Sequence, residues 1–211
     1  MSSTFTRGNP LHARVYDLIC GWEERRGLLE WRVQLVKGIS GDVLEIGTGT
    51  GRNLGHYSKN ARVYASEFDP VMLAAAIPQA KRSAAAVDLL LGDAMRLPIK
   101  DASVDWVVIG LALCSIPRPE RALREVKRVL RKTGQLRFVE HVRDDDGTRR
   151  AKFQDAFNPA WRFISGGCNC NRRTEDLVKA EGFDVTEIHR FKLGMAHVSP
   201  HIMGTATPVI S

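Results

Sequence analysis

Between residues 42 and 141, short apolar runs alternate with helical segments, and this alternation constrains the fold more than any other feature of the chain. Asp42–Ile46, Ala61–Ser66, Val87–Leu91, Val104–Ile109 and Gln135–His141 each read as a buried strand. A helix is expected to open over Arg52–Ser58. A second starts at Asp69-Pro70, with Asp as N-cap and Pro at the first helical position. Pro119–Arg131 is amphipathic, with Ala122, Leu123, Val126, Val129 and Leu130 on one side, and Thr133-Gly134 ends it. Strands separated by helices in this way imply a parallel sheet covered on both faces, an α/β fold. Thr174–Glu181 reads as a helix stopped by Gly182. Phe183–His189 and His201–Thr207 read as two closing strands that suggest an antiparallel edge. Residues 10–37 read as helical, with a break at Gly21 or Gly27.

The chain has 211 residues, enough for one domain with one sizeable core. We read it as a single domain over 1–211, with residues 1–40 as a helical lid and 142–173 as a substrate-covering insert. The net charge of +7 would favour an anionic partner, but the basic residues are scattered and no basic run is interleaved with aromatics. A solvated basic surface and no nucleic-acid partner are therefore expected. Peripheral membrane contact and the oligomeric state stay open. The four cysteines, Cys20, Cys114, Cys168 and Cys170, form no Cys-x-x-Cys pair. Reduced thiols and no bound metal follow, since one residue between Cys168 and Cys170 is too few for a usual zinc pair. The N-terminal residues lack a signal-type apolar core, and no apolar run approaches the roughly 20 residues of a spanning helix. The expected location is cytoplasmic.

The stretch DVLEIGTGTG, residues 42–51, follows the first strand with glycines at 47, 49 and 51. Glycine there costs conformational entropy, so close approach to the backbone is expected. The dinucleotide fingerprint would place its third glycine at position 52, which is Arg52. Glu45 at the turn also disfavours a pyrophosphate and favours a ligand with a cationic end. Glu67 closes the second strand, where an acid can accept from two ribose hydroxyls. Asp93, just past the third strand, can accept from an adenine amino group. A ligand with a cationic end, a ribose and an adenine, such as S-adenosylmethionine, satisfies all three.

VLEIGTGTG, VYASEFDPVML, LLLGDAMRLPIKDASVDWVV and REVKRVLRKTGQL resemble the successive motifs of class I S-adenosylmethionine-dependent methyltransferases, over about half the chain. The resemblance implies a Rossmann-like seven-stranded, mostly parallel sheet with an antiparallel last strand. It implies that Glu45, Gly47, Gly49, Gly51, Glu67 and Asp93 hold the cofactor, with Thr48, Asn53, Phe68, Met72 and Ala94 beside them. Leu111 to Cys114 would lie along its methionine end. S-adenosylhomocysteine would be the product.

TGRNLGHY, LALCSIPRPERALREVKRVL, VEHVR, NPAWRFISGGCNCNRRT and PHIMGTA together resemble the methyltransferase-like alkyl thiol S-methyltransferases. The animal members begin with a hydrophobic anchor, which these residues do not show. The implied acceptor is a small thiol or hydrosulfide. The alternatives are a phosphatidylethanolamine amine, or a quinone or other small molecule methylated at carbon or oxygen. A thiol reacts as thiolate, and with a pKa near 8.5 only a few per cent is ionised at neutral pH. His141, closing the fifth strand, is the first candidate base and His201 the second. Glu140 could orient His141, although strand neighbours point to opposite faces. Asn158, Trp161, Phe163 and Cys168 belong to the covering insert, and Trp161 and Cys168 are expected to touch the acceptor. Tyr16 and Trp22 would close over it. Arg172-Arg173 is read as solvated.

Overall fold

The computed structural model describes residues 17–18, 20–194 and 198–209. Its centre is a seven-stranded sheet in the order β3-β2-β1-β4-β5-β7-β6. The strands are β1 Gly41–Ile46, β2 Ala61–Glu67, β3 Ala86–Leu91, β4 Val104–Gly110, β5 Leu130–His141, β6 Phe183–Lys192 and β7 Pro200–Pro208. Neighbours from β3 to β5 pair in parallel. β7 runs antiparallel to both β5 and β6, so the reversed strand lies inside the sheet and β6 forms the edge. The helices are α1 Leu29–Val36, α2 Pro70–Arg82, α3 Pro119–Val129, α4 Arg149–Ile164 and α5 Thr174–Ala180.

Period-two alternation divides the apolar residues between two faces. Leu44, Val107, Ile109, Leu136 and Phe138 pack with Leu123, Val126 and Val129 of α3 and Val178 of α5. Val43, Val63, Val108 and Val139 pack on the other face with Leu35 and Val36 of α1 and Ala76 of α2. Residues 29–36 thus form part of the core. The break before them is at Gly27, whose φ is +114°.

Asp69 caps α2 as its sequence indicates, Oδ1 accepting from the Val71 N–H at 2.8 Å, with Pro70 in the first turn. Two expectations need correction. The helix anticipated over Arg52–Ser58 is only a 3-10 turn at Leu54–His56, because Asn53 and Tyr57 direct their side chains inward to Glu45. Helix α3 stops at Val129, and Thr133-Gly134 already lies in β5. A Cβ on Gly134 would stand 3.1 Å from the Asp105 carbonyl oxygen, so the strands can approach there only without a side chain. The insert contains a 16-residue helix, α4, capped by Thr148, whose Oγ1 accepts from the Ala151 N–H at 3.0 Å.

Phe138 is fully buried, and Gly204 on β7 lies opposite it: a Cβ there would come within 2.6 Å of the Phe138 ring. Phe138→Ala should lower the unfolding free energy by about 3–5 kcal/mol in denaturant titration, whereas a loss under 1 kcal/mol would place the sheet's packing centre elsewhere.

Candidate functional site

Beyond the C-terminal ends of β1 to β4 lies a cavity of about 840 Å³, where ligands bind in open α/β sheets. One wall comes from the turns after β1, β2 and β3. It carries Gly47, Gly49, Glu67, Phe68, Met72, Asp93 and Ala94. The opposite wall comes from the loop after β4 (Leu111, Ala112, Ser115, Ile116) and from the insert (Arg162, Phe163, Gly167, Asn169, Arg172).

The glycine turn is shaped mainly by the protein itself. Gly47 has φ +72°, and a Cβ there would stand 2.5 Å from Cβ of Ala112. Gly51 has φ +82° and is crowded by Leu54, Ala76 and Gln79. The turn is held to β2 by Glu67, whose Oε2 accepts from the Gly49 N–H at 2.9 Å. Oε1 of Glu67 accepts from the N–H groups of Phe68 and Asp69 at 2.9 and 3.0 Å. One oxygen of Asp93 accepts from the Met95 N–H at 2.8 Å.

Glu45 lies beneath this turn, away from the cavity lining. It is fully buried, accepting from Tyr57 Oη at 2.7 Å and Asn53 Nδ2 at 3.2 Å. Burial raises its pKa, opposed by these hydrogen bonds. The expectation that Glu45 faces a cationic ligand is therefore corrected: strand alternation turns it under the turn, where it braces it. Arg32 extends the brace by donating to Asn53 Oδ1 at 2.9 Å, which links α1 to the turn. Thr48, Gly51 and Asn53 also lie outside the cavity lining. Tyr16 lies outside the described residues, and Trp22 is covered by the Arg26 guanidinium 3.7 Å from its ring centre.

The loop after β4 is gripped from two sides. Leu111 takes a φ of +58°, unusual for a side chain of its size. The next three N–H groups converge on Glu140: Ala112 and Leu113 donate to Oε1 at 2.8 Å each, and Cys114 donates to Oε2 at 3.3 Å. Burial raises the Glu140 pKa, opposed by His141 and these three donors. Arg172 donates to the carbonyls of Leu113 and Ile116, the latter at 3.0 Å. Asn169 donates to the Cys114 carbonyl from its backbone N–H and from Nδ2, each at 2.9 Å. Arg172 is thus a half-buried loop brace whose pKa is lowered by burial, which corrects its reading as solvated; Arg173 is exposed and pairs with Asp146.

The two histidines singled out in the sequence are register partners, His141 on β5 facing His201 on β7, with ring centres 6.2 Å apart. His141 Nε2 lies 2.9 Å from Cys168 Sγ, and Trp161 Nε1 donates to the same sulfur at 3.2 Å. Cys114 Sγ joins them: the donor atoms of Cys114, His141 and Cys168 all lie within 4.8 Å of one another. Burial disfavours charge on His141, but Cys114, Glu140 and Glu23 outweigh it and raise its pKa. The hydrogen bond with Cys168, together with burial, pushes the Cys114 thiol well up. His201 Nδ1 lies 2.9 Å from the Ser199 carbonyl oxygen, and burial lowers its pKa to about 4. Neither histidine, nor Cys114, Trp161 or Cys168, lines the cavity. Ser115, Gly167 and Asn169, next to Cys114 and Cys168 in sequence, do line it.

Ser115, Asn169 and Arg172 are wall residues that the sequence reading left unassigned or misassigned. The signal of Asn169 and Arg172 is faint, since both act through backbone groups distant in sequence. Glu140 was visible as an acid beside His141, but its three partners were not.

The cavity fits a ligand with a hydrogen-bonding end and a flat apolar portion. Glu67 and Asp93 stand on its wall as acceptors. Phe68 and Phe163, both exposed, offer apolar faces. These are the features a ribose and an adenine require.

Residues 44–138 match the methyltransferase domain family. Human thiol S-methyltransferase TMT1B is 34% identical over 193 residues, covering 87% of this chain and 78% of that protein. Phosphatidylethanolamine N-methyltransferase of Cereibacter sphaeroides is 35% identical over 114 residues, covering 53% of this chain and 56% of that protein. A solved SAM-dependent methyltransferase from Aquifex aeolicus has the same fold, with a TM-score of 0.66 and 18% identity over 96% of this chain and 100% of that one. The braced glycine turn, the acids after β2 and β3 and these likenesses lead to one conclusion: the chain belongs to the class I S-adenosylmethionine-dependent methyltransferases, with S-adenosylmethionine as its cofactor.

Proposed function

We propose that this enzyme transfers the methyl group to a small thiol or hydrosulfide. The observation that carries the reading is the Cys114–His141–Cys168 cluster, whose sequence neighbours Ser115, Gly167 and Asn169 line the cavity. Likeness to TMT1B along most of the chain supports it.

S-adenosylmethionine, when bound, supplies a methyl group activated on a sulfonium. Glu67 would hold its ribose and Asp93 its adenine amino group, while Gly47 and Gly49 keep the turn close. Leu111 and Ala112, fixed by Glu140, form the adjoining wall. The remaining task for the chain is to hold an acceptor in line and favour its ionised form. Phe163, Ile116 and the loop Ser165–Gly167 make that side of the cavity partly apolar, which suits a small thiol better than a water-exposed amine. His141, whose pKa is raised despite its burial, is the group whose positive charge would favour the thiolate, and each unit by which an acceptor pKa falls is worth about 1.4 kcal/mol. His201, with its low pKa, stays neutral at pH 7 and acts as a packing partner of His141.

Among the described residues, no helix is long and apolar enough to cross a membrane. Turnover on soluble thiols without lipid is expected. With purified protein, sulfide and small alkyl thiols should give methyl thioether and S-adenosylhomocysteine in equal amounts. Turnover only on phosphatidylethanolamine vesicles would overturn the thiol reading.

Two variants divide the site. Glu67→Ala should weaken S-adenosylmethionine binding at least tenfold by calorimetry, as expected from losing hydrogen bonds to a charged group worth about 1.5–3 kcal/mol. His141→Ala should slow transfer at least tenfold and change cofactor affinity less than threefold. A joint collapse of rate and affinity in His141→Ala would make His141 purely structural.

A further inference from the structure

Cys114 comes from the loop after β4, His141 from the end of β5, and Cys168 from the turn after α4. Three separate elements therefore deliver two sulfurs and one imidazole nitrogen to one point. The neighbouring cysteine does not join them: Cys170 Sγ faces the Gln154 carbonyl at 3.7 Å and Asn158 Oδ1 at 3.6 Å. The Cys-x-Cys spacing was thus a poor guide, because alternate residues of this turn serve different sites.

We propose that Cys114, His141 and Cys168 hold one thiophilic d10 cation, zinc(II), and that the acceptor sulfur completes its coordination as a thiolate. The inference rests on the thiol reading above for the acceptor, but not for the cation. Three arguments carry it. Two thiolates and an imidazole are the ligand types zinc prefers, and three protein ligands are the number that leaves a position for substrate. All three side chains are buried and their donor atoms lie within 4.8 Å of one another, so little rearrangement is needed to share an ion. The surroundings suit ligands: Trp161 donates to Cys168 Sγ, and His141 Nε2 already faces that sulfur at 2.9 Å. Ser115, Gly167 and Asn169, neighbours in sequence of Cys114 and Cys168, line the cavity, so the acceptor sulfur reaches the ion by displacing them.

The chemistry balances. Loading converts Cys114 and Cys168 to thiolates and releases two protons to solvent. An entering acceptor thiol releases a third proton and binds as thiolate. Its sulfur forms the new bond to the methyl carbon as the bond from that carbon to the sulfonium breaks, the electron pair staying with the departing sulfur. The neutral thioether product is a weaker ligand and dissociates.

The test uses the full chain, equilibrated with zinc chloride or cobalt(II) chloride and freed of loosely held ion. The expected results are close to one equivalent of zinc per chain by elemental analysis and sulfur-to-cobalt charge-transfer absorption in the cobalt form. Cys114→Ser and Cys168→Ser should each reduce zinc retention at least tenfold, with S-adenosylmethionine binding as the check on folding, while Cys170→Ser should retain the ion. If the serine variants do not fold, the wild-type cobalt spectrum decides, because a spectrum without thiolate absorption overturns the proposal. Failure to retain zinc, or equal retention by Cys168→Ser, also overturns it. Ethanethiol should change the cobalt spectrum; an unchanged spectrum removes the acceptor from the ion. A spectral response without any methyl thioether from the zinc enzyme would instead contradict the thiol reading and leave the metal site standing.

Discussion

The Glu140 carboxylate, fully buried at the end of β5, collects the N–H groups of Ala112, Leu113 and Cys114. An isolated carboxylate in such a place costs several kcal/mol, and three hydrogen bonds to a charged group, each worth about 1.5–3 kcal/mol, offset part of that cost. The exchange is mutual. The loop after β4 leaves the sheet through a left-handed residue, Leu111, and its next three donors all turn to Glu140. Arg172 and Asn169 complete the arrangement by taking the loop's carbonyls at Leu113, Ile116 and Cys114. A carboxylate thus secures the donors of one short segment while a guanidinium and an amide secure its acceptors.

The rest of the site depends on where that segment lies. Ala112 sits close enough to Gly47 to exclude any side chain there, so the glycine turn and the loop after β4 fix each other. Cys114, three residues past Leu111, is carried to His141 and Cys168 by the same hold. Glu140 and His141 are consecutive in a strand and project to opposite sides. One strand end therefore serves two purposes: Glu140 fixes the loop that borders the cavity, and His141 meets the Cys114 and Cys168 thiols.

Much of this was legible in the sequence. Apolar periodicity marked five parallel strands, and the Asp69-Pro70 start was read correctly because capping is decided by neighbours in the chain. Glu67 and Asp93 line the cavity as expected, because each follows a strand at the ligand edge. Glu45 was placed on the wrong side because a turn residue's direction depends on partners that no local pattern shows, here Tyr57 and Asn53. Helix α4 was missed because Pro159 interrupts its pattern and Gly166-Gly167 follows it. The Cys114–His141–Cys168 cluster could not be read from spacing, since its members are joined only by the closing of the sheet. Arg172 looked like one half of a basic surface pair, yet its partners are carbonyls more than fifty residues earlier in the chain.

The most direct measurement is hydrogen exchange of single backbone amides in the wild type and in Glu140→Leu, which removes both acceptor oxygens, without ligand. If Glu140 holds the loop, the amides of Ala112, Leu113 and Cys114 are protected in the wild type and exchange at least tenfold faster in the variant. The Leu111 amide, bonded to the Val139 carbonyl at 2.8 Å, should keep its protection. Equal exchange at residues 112–114 in both proteins would contradict the account, because the loop's position would then not depend on that carboxylate.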